Sequence, residues 1–211
     1  MHAVGSPAPL ERSQLERAAT MLARAFDADP LYTALFPEPD ERRRLLSLLW
    51  GGVLRYSARY GVVLVAPEVV GVSAWLAPGA MRITVWRQVR SGLALPRAVM
   101  RFPREARRRT LACLSYLDRL GDQIMGERRC WYLWALGVDP SMRRHGIGSS
   151  LVAPILDRAD REGLPCYLET FERGDVAFYD RLGFQVVHAG AMPREDVPVW
   201  TMLREPDASA P

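Results

Sequence analysis

The sequence predicts one α/β domain over residues 1–211, whose mixed sheet of six or seven strands carries helices on both faces. In the last third of the chain, short apolar runs alternate with segments of helical periodicity, which is typical of layered α/β folds. Two valine-rich runs, 62–66 and 69–75, predict a β-hairpin earlier in the chain. With 211 residues, 49% of them apolar, the chain is long enough to bury a substantial core.

The N-terminal segment predicts two helices before this hairpin. Ser13 and Glu16 have the spacing of a capping box, and apolar residues at helical spacing follow them. The first helix is therefore expected over 13–26 and is expected to be closed by Pro30. A second run with helical spacing predicts a helix over 40–60.

Residues 82–128 predict a helical insertion, in which apolar patches at helical spacing are interrupted by Pro96 and Pro103. The apolar content of this segment is too high for a solvated linker. The tail, 205–211, is expected to fray. The remaining predicted elements are strands at 130–138, 166–170, 184–188 and 198–203, and helices at 148–163 and 175–182.

The net charge of +4 conceals one strongly basic segment. All 28 basic residues are arginine, and nine of them lie within 82–110 against a single carboxylate, which gives this segment a net charge of +8. Such a segment attracts phosphates and other anions. A cluster of like charges in a sequence is, however, more often the solvent-exposed face of a helix. As a nucleic-acid patch it lacks a recognisable binding motif and has little aromatic interleaving.

The sequence also disfavours a protein stabilised by disulfides or zinc, a membrane-spanning protein and a secreted protein. Cys113, Cys130 and Cys166 are odd in number and form no C-x-x-C pair, so a disulfide framework or a zinc site is not expected, and the thiols are predicted to be free and buried. No run approaches the roughly 18 apolar residues of a membrane-spanning helix. The first ten residues lack the pattern of a secretory signal, so we expect a cytoplasmic protein.

Residues 131–150 predict an anion-binding turn between a strand and a helix. An apolar strand ends at Val138, Asp139 and Pro140 form a turn, and the sequence R-R-H-G-I-G of residues 143–148 leads into the helix. The unpaired amides and the dipole of a helix N-terminus favour anions, and glycines allow a pyrophosphate to approach the backbone closely. The dinucleotide fingerprint lacks its third glycine here, and the Walker motif needs a lysine, which this chain does not contain.

What remains is R-x-x-G-x-G, formed by Arg143, Gly146 and Gly148, and it resembles the acetyl-CoA motif of the GCN5-related N-acetyltransferase (GNAT) family. A second strand follows, and the sequence A-F-Y-D-R-L-G-F of residues 177–184 is similar to the Y-x-x-x-G-F signature of that family. The segments V-D-P and Y-L-E-T are similar to the branch that includes puromycin N-acetyltransferase-like proteins. The resemblance covers residues 130–203.

The resemblance implies a GNAT-like sheet in which two parallel strands splay apart and form the acyl-CoA cleft. It implies that the pantetheine arm pairs with the free edge of the first of these strands and that the phosphates bind the amides of the turn. His145 is expected to contribute its backbone N–H, and no metal is implied. The residues expected to bind acetyl-CoA are Leu136, Gly137, Val138, Arg143, Arg144, His145, Gly146, Ile147, Gly148 and Ser149.

The resemblance further implies that an amine attacks the thioester directly and that Tyr179 protonates the leaving thiolate; a structural tyrosine that packs the last helix on the sheet is the alternative. The attack also needs a proton acceptor. Alternation along the strand 166–170 places Glu169 beside the cleft, where it can act as the general base or, equally, as a salt-bridged or capping carboxylate. Glu172 and Asp139 are further candidates for this role.

The aromatic residues allow two interpretations. Phe26, Tyr32 and Phe36 flank the bend after the first helix, which borders the acceptor pocket in the family, so they either line that pocket or pack in the core. Packing in the core is the expected role of the aromatic cluster in the first C-terminal strand, which comprises Trp131, Tyr132 and Trp134.

These observations predict an enzyme, an N-acetyltransferase that moves the acetyl group of acetyl-CoA to an amino group of a small molecule. Two alternatives stay open: an acyl-CoA-binding module without transfer activity, and an arginine-rich nucleic-acid-binding protein. We expect a small-molecule amine as the partner, with neither nucleic acid nor membrane, and leave a homodimer open. The sequence does not identify the acceptor amine, the length of the acyl chain, the general base, the oligomeric state or the role of 82–110.

Overall fold

Seven strands form one sheet through the middle of the molecule in a computed structural model that describes residues 5–207. The strands are β1 (Ala8–Pro9), β2 (Gly61–Val65), β3 (Gly71–Leu76), β4 (Trp131–Val138), β5 (Cys166–Thr170), β6 (Gln185–Ala191) and β7 (Pro198–Arg204). Their order is β1-β2-β3-β4-β5-β7-β6. Neighbouring strands are antiparallel except for the parallel pair of β4 and β5, so the predicted mixed sheet is confirmed.

Helices cover both faces of this sheet, as the sequence predicts. They are α1 (Leu15–Ala25), α2 (Pro30–Leu35), α3 (Pro39–Tyr60), α4 (Val85–Arg90), α5 (Ala94–Met100), α6 (Arg104–Met125), α7 (Ile147–Glu162) and α8 (Arg173–Asp180). The core between the sheet and helices α1 and α3 is separate from the core between the sheet and helices α7 and α8.

The alternation of side chains along β3 shows how one strand serves both cores. Val72 and Ala74 are fully buried in the first core with Leu22 of α1, whereas Trp75 is fully buried in the second core with Leu151 of α7. Successive side chains of a strand point to opposite faces, so a central strand that is covered on both sides reads as a continuous apolar run.

The start of the first helix differs from the sequence prediction. The capping box is formed by Glu11 and Gln14, not by Ser13 and Glu16: the Glu11 amide donates to the Gln14 side-chain oxygen at 3.0 Å. A short 3₁₀ turn between Glu11 and α1 moves the cap two residues towards the N-terminus. The hydroxyl of Ser13 instead donates to the Glu11 carboxylate at 3.2 Å.

The sequence analysis expected Pro30 to end a helical segment. In the structure, Pro30 instead begins α2. The first helix already ends at Ala25, and Asp29 caps the next one by accepting hydrogen bonds from the amides of Leu31 (2.9 Å) and Tyr32 (3.4 Å). Proline at the first position of a helix needs no hydrogen-bond partner for its missing N–H, so Asp-Pro is a favourable start for a helix.

The predicted insertion is helical and consists of α4, α5 and α6. Its helices pack on α3 and α2: Phe102 meets Phe36 edge-on at 5.6 Å, and Arg109 donates to the carbonyl of Ala34 at 3.2 Å. At the other end of α6, Gly121 approaches the hydroxyl of Tyr167 in β5. The insertion therefore covers the face of the sheet on which α1 to α3 lie.

The parallel strands β4 and β5 separate after three paired residues. Trp131, Tyr132 and Leu133 are in register with Cys166 to Leu168, and beyond Leu133 no pairing joins the two strands in the described part of the chain. On its other side, β4 remains paired with β3 as far as Val138. The strands thus splay apart, as predicted, and leave one edge of β4 free.

The three cysteine thiols are free and buried, as predicted, and burial raises the pKa of each to about 12. Within residues 5–207, no helix is long and apolar enough to cross a membrane, and no group of three potential ligands from His, Cys, Asp and Glu is assembled for a metal. Part of the tail that was expected to fray is held in place, since Arg128 pairs with Glu205 at 2.7 Å. Residues 208–211 lie outside the described residues.

Candidate active site

The turn between β4 and α7 presents backbone amides to a cavity. Gly146 has a φ of 77°, a left-handed conformation that glycine adopts without strain, and α7 begins directly after it. The first backbone hydrogen bond of the helix runs from Ser150 to Gly146 at 3.0 Å. Among the described residues, the amides of Ile147, Gly148 and Ser149 have no hydrogen-bond partner. They are the donors that a helix N-terminus offers to an anion.

Side chains hold the loop before this turn in place. Asp139 accepts hydrogen bonds from the Ser141 amide and hydroxyl and pairs with Arg24 of α1 at 2.7 Å. Arg143 donates to the carbonyl of Ala25 at 2.8 Å, so both arginine contacts tie the loop to α1. Helix α1, which also borders the cavity, therefore holds the anion-binding turn in place.

The free edge of β4 lies beside α1 because one residue of the strand is glycine. A Cβ atom at Gly137 would lie 2.6 Å from a methyl carbon of Leu22 and 3.1 Å from the Cβ of Ala25. Leu136 and Val138, on the opposite face of the strand, are half-buried and line the cavity. Glycine here allows α1 to approach the strand closely.

A cavity of about 590 Å³ joins these features. Nine of the ten residues predicted to bind acetyl-CoA line it: Leu136, Gly137, Val138, Arg143, Arg144, Gly146, Ile147, Gly148 and Ser149. The tenth, His145, does not line it, and its ring nitrogen lies 2.9 Å from the carbonyl of Arg143. None of the arginines of 82–110 borders the cavity, whereas Arg181 of the α8 region does.

Tyr179 borders this cavity and also a second, smaller one. Its ring packs edge-on against Phe178 (5.1 Å) and Phe184 (5.7 Å). Gly183, with a φ of 87°, ends this segment, and the amide of Phe184 turns back to the carbonyl of Tyr179 at 3.1 Å. Burial, together with the nearby Asp175 carboxylate, raises the pKa of Tyr179 well above its usual value, so the hydroxyl keeps its proton.

The smaller cavity, of about 50 Å³, is lined mainly by aromatic rings and carboxyl groups. Its aromatic residues are Phe26, Tyr32, Trp50, Trp134, Phe171 and Tyr179, and its acidic residues are Asp29, Glu169 and Asp175. Phe26 and Tyr32 thus border a pocket, whereas Phe36 packs in the core. Trp134 packs against the core, as expected, and borders the pocket as well.

Asp29 borders both cavities and was not among the predicted site residues. Burial raises its pKa to about 7; backbone hydrogen bonds from Tyr32 and Leu31 oppose this rise, and the carboxylates of Asp175 and Glu172 add to it. The sequence analysis treated Pro30 as the end of a helix, although Asp-Pro is also a favourable helix start and could have indicated this cap. Only the fold shows that this cap faces the cleft.

Glu169, the predicted base, borders the smaller cavity only. Burial raises its pKa to about 7, and interactions with the side chains of Tyr132 and Tyr167 oppose part of this rise. The predicted alternation of β5 is observed, because Cys166 and Leu168 lie in the core beneath α7, on the opposite face from Glu169. A carboxyl group with a pKa near neutrality can exchange protons at physiological pH.

The two further candidates for the base differ in their surroundings. Glu172 lines the larger cavity next to Asp175. Asp139 does not line either of these two cavities; hydrogen bonds from Ser141 lower its pKa, with a contribution from Arg24. A carboxylate stabilised in this way is a weak proton acceptor, so Asp139 serves the loop and not proton transfer.

The splayed pair of parallel strands, the free strand edge and the amide-rich turn agree with the features expected from the sequence. Residues 102–184 match the family model described as the Acetyltransferase (GNAT) family. An uncharacterised N-acetyltransferase of Schizosaccharomyces pombe is 28% identical over 208 residues, which cover 95% of this chain and 83% of that protein. The match does not single out the puromycin N-acetyltransferase-like branch.

Solved structures share the whole fold. A histone acetyltransferase HPA2-related protein from Corynebacterium glutamicum superimposes with a TM-score of 0.66 at 22% identity, covering 98% of this chain and 100% of that one. The polyamine N-acetyltransferase of Drosophila melanogaster, described as an enzyme that forms N-acetylagmatine, gives a TM-score of 0.62 at 16% identity and covers 94% and 98%.

Proposed function

We propose that this chain forms a single N-acetyltransferase domain, which transfers the acetyl group of acetyl-CoA to the amino group of a small molecule. The observation that carries the proposal is that the two cavities are adjacent and share lining residues. The amide-rich turn lies at one end, a pocket with carboxyl groups lies at the other, and both cavities are bordered by Leu136 and Tyr179. An activated acyl donor and an amine can therefore meet at one point.

The residues of the larger cavity fit acetyl-CoA. The unpaired amides of Ile147, Gly148 and Ser149 supply donors for a pyrophosphate, and Arg143 and Arg144 add positive charge. The free edge of β4 offers backbone groups to the amide-containing pantetheine arm, as a sheet edge does to an added strand. When bound, acetyl-CoA supplies the acetyl group as a reactive thioester.

Tyr179 is proposed as the acid that protonates the departing sulfur. It borders both cavities, and a tyrosine hydroxyl carries its proton at neutral pH and can donate it as negative charge develops on the sulfur. Removal of a positioned general acid costs about 10²–10⁴-fold in rate.

Asp29 and Glu169 are the proposed proton acceptors for the amine. Asp29 borders both cavities, and Glu169 borders the smaller one, from where a water molecule can relay a proton. We assign the base to Asp29 first, because it borders the donor cavity as well as the acceptor cavity. Glu169, the base predicted from the sequence, is the second carboxylate of the pair.

The reaction balances with these groups. The amine nitrogen forms a C–N bond to the acetyl carbon and the C–S bond breaks. The proton of the amine passes to the carboxylate, and the sulfur takes a proton from Tyr179. The polyamine acetyltransferase of Drosophila melanogaster, which shares the fold, supports a small amine as the acceptor.

Release of free thiol from acetyl-CoA across a panel of small amines tests this function. Tyr179→Phe is expected to lower kcat by about 100-fold with unchanged affinity for acetyl-CoA. Tyr60→Phe is the matched control, because the Tyr60 hydroxyl donates to the carbonyl of Arg87, away from both cavities.

Two results would contradict the proposal. Unchanged turnover in Tyr179→Phe would eliminate Tyr179 as the acid. Calorimetric binding of acetyl-CoA without thiol release for any amine would indicate an acyl-CoA-binding module in place of an enzyme.

A further inference from the structure

Helix α4 turns its apolar side chains to solvent and its polar side chains to the protein. Val85, Trp86 and Val89 are 81%, 65% and 53% exposed, whereas Arg87 and Gln88, on the opposite face, are half-buried. A surface helix of a globular protein normally buries its apolar stripe and exposes its polar face. The orientation of α4 is therefore the reverse of the one that burial within this chain favours.

The fold holds α4 in this orientation. The Tyr60 hydroxyl donates to the carbonyl of Arg87 at 3.1 Å, and the Arg87 guanidinium lies over the Tyr60 ring, 5.8 Å from its centroid. The Thr84 hydroxyl caps the helix by accepting a hydrogen bond from the Arg87 amide at 3.3 Å. The apolar side chains of α4 thus face outward in the folded protein, where a partner can cover them.

The exposed apolar surface extends beyond α4 at both ends. Two flanking residues are exposed as well, and with the helix they form the surface that we name the α4 patch: Ile83, Val85, Trp86, Val89 and Leu93. These five residues are half of the ten large apolar side chains that are exposed within residues 5–207. Exposed apolar residues that are scattered singly are ordinary, whereas a concentration of them marks an interaction surface.

Positive charge surrounds the α4 patch. Residues 83–104 contain five arginines and no acidic residue. Within residues 5–207 none of the five forms a salt bridge, and all but the first are exposed: Arg87, Arg90, Arg97, Arg101 and Arg104. The Arg90 guanidinium lies 5.9 Å from the centroid of the Trp86 ring, so this charge is adjacent to the patch. The surface therefore fits a partner that is both apolar and anionic.

We propose that the α4 patch docks this protein on the surface of an anionic lipid bilayer, with its apolar side chains among the headgroups and the arginines on acidic headgroups. Amphipathic segments that combine tryptophan and aliphatic residues with arginine bind such interfaces. Projecting side chains enter a fluid lipid layer without a complementary pocket. A two-fold dimer through this patch would instead set the same arginines against one another. The proposal goes beyond the proposed function and does not depend on it.

This proposal departs from the sequence analysis, which expected no membrane partner and left the role of 82–110 open. Composition does not show which face of α4 is exposed, and only in the structure do its apolar side chains lie outside. Docking at a bilayer surface needs no membrane-spanning helix.

Flotation of the full chain with lipid vesicles tests the proposal. We expect binding to equimolar phosphatidylcholine and phosphatidylserine to exceed binding to phosphatidylcholine alone by about tenfold and to weaken as salt is raised. Val89→Ser should weaken binding to the mixed vesicles by about fivefold, because an apolar side chain no longer leaves water. Val187→Ser is the matched control, since Val187 is 46% exposed but lies on β6.

A second pair of variants tests the charge. Arg101→Gln should weaken binding to the mixed vesicles by about fivefold, as the loss of one arginine at an acidic surface predicts. Arg129→Gln, also at an exposed position, is its control and should leave binding unchanged. All four positions are at the surface, so each variant should keep the Tm of the native protein.

Tryptophan emission reports insertion at the patch itself. Trp86 is the only exposed one of the six tryptophans. The mixed vesicles should therefore shift the emission to shorter wavelength, and Trp86→Phe should abolish this shift while binding persists.

Three results would overturn the proposal. One is absence of binding to the mixed vesicles. Another is binding that depends on Arg101 but not on Val89, without an emission shift, because the arginines would then merely adsorb to a polyanion. The third is self-association in analytical ultracentrifugation that Val89→Ser abolishes, which would assign the α4 patch to a second copy of the chain.

Discussion

The two ends of the cavity are constructed differently. The donor end consists largely of backbone from one continuous stretch, 136–149: a free strand edge, a glycine turn and the first amides of α7. The acceptor end consists of side chains from four separate stretches, namely 26–32, Trp50, 133–136 and 169–179. One end is thus defined by chain conformation and the other by side-chain chemistry.

The donor end and the acceptor end should therefore respond differently to substitutions. Backbone donors do not depend on the identity of the side chain that they carry, so the donor end should tolerate most changes except those that fill the cleft. The acceptor end depends on each carboxyl group and ring, so conservative changes there should alter rate and selectivity. The predictions below test this contrast.

The largest effect is expected from a bulky side chain at Gly148. A Cβ atom there would lie 3.3 Å from the ring of Phe178, so Gly148→Phe should fill the cleft beside the amides. We expect affinity for acetyl-CoA to fall by about 100-fold or more, because the pyrophosphate loses its donors. Calorimetry measures this, with Ala153→Phe, at an exposed position of α7, as the control. Wild-type affinity in Gly148→Phe would show that the phosphates do not bind at this turn.

The next effect is expected from Asp29→Asn at the acceptor end. Removal of a general base should lower kcat/KM by about 100-fold with unchanged affinity for acetyl-CoA. Because a base acts in its deprotonated form and the pKa of Asp29 is about 7, activity of the native protein should rise with pH through this value. Thiol release measured across pH 5.5–9 tests whether the variant loses this rise. A rise that persists in Asp29→Asn and disappears in Glu169→Gln assigns the base to Glu169.

A smaller effect is expected from Arg143→Ala at the donor end. The guanidinium holds the loop through the carbonyl of Ala25 and lines the cavity, but the amides of the turn remain. We expect affinity for acetyl-CoA to fall by about 3–10-fold, in line with the loss of one partly exposed charge. Arg129→Ala, at an exposed position, is the control in the same binding assay. A loss as large as that of Gly148→Phe would mean that side chains, not backbone, define the donor end.

The smallest effect concerns stability. Burial raises the pKa of Glu169 to about 7, so the folded protein favours the protonated form, and stability is lost as the pH rises from about 4.5, the ordinary value, through 7. Glu169→Gln removes this cost. We expect Tm to rise by about 2–4 °C at pH 8.5 and to change little at pH 5, whereas Glu127→Gln, at an exposed position, changes neither. An equal rise at both pH values would show that ionisation of Glu169 is not the cause.

Several elements could be predicted from the sequence because their signals are local. The strand–turn–helix of 131–150 and the alternation of β5 depend on residues a few positions apart, and the fold agrees with both. The capping box of α1 and the role of Pro30 were wrong, although both signals are local. In each case a neighbouring residue takes the capping role: Glu11 and Gln14 form the capping box, and Asp29 caps a new helix that begins at Pro30.

The sequence by itself determined the fold class and the amide-rich turn, because a helix that begins at glycines after an apolar strand exposes its amides wherever it is placed. Only the tertiary structure decided that Asp29, Trp50 and Glu169 surround one cavity. These residues lie far apart in the chain, and their meeting depends on how α1 to α3 pack on a sheet whose central strands diverge.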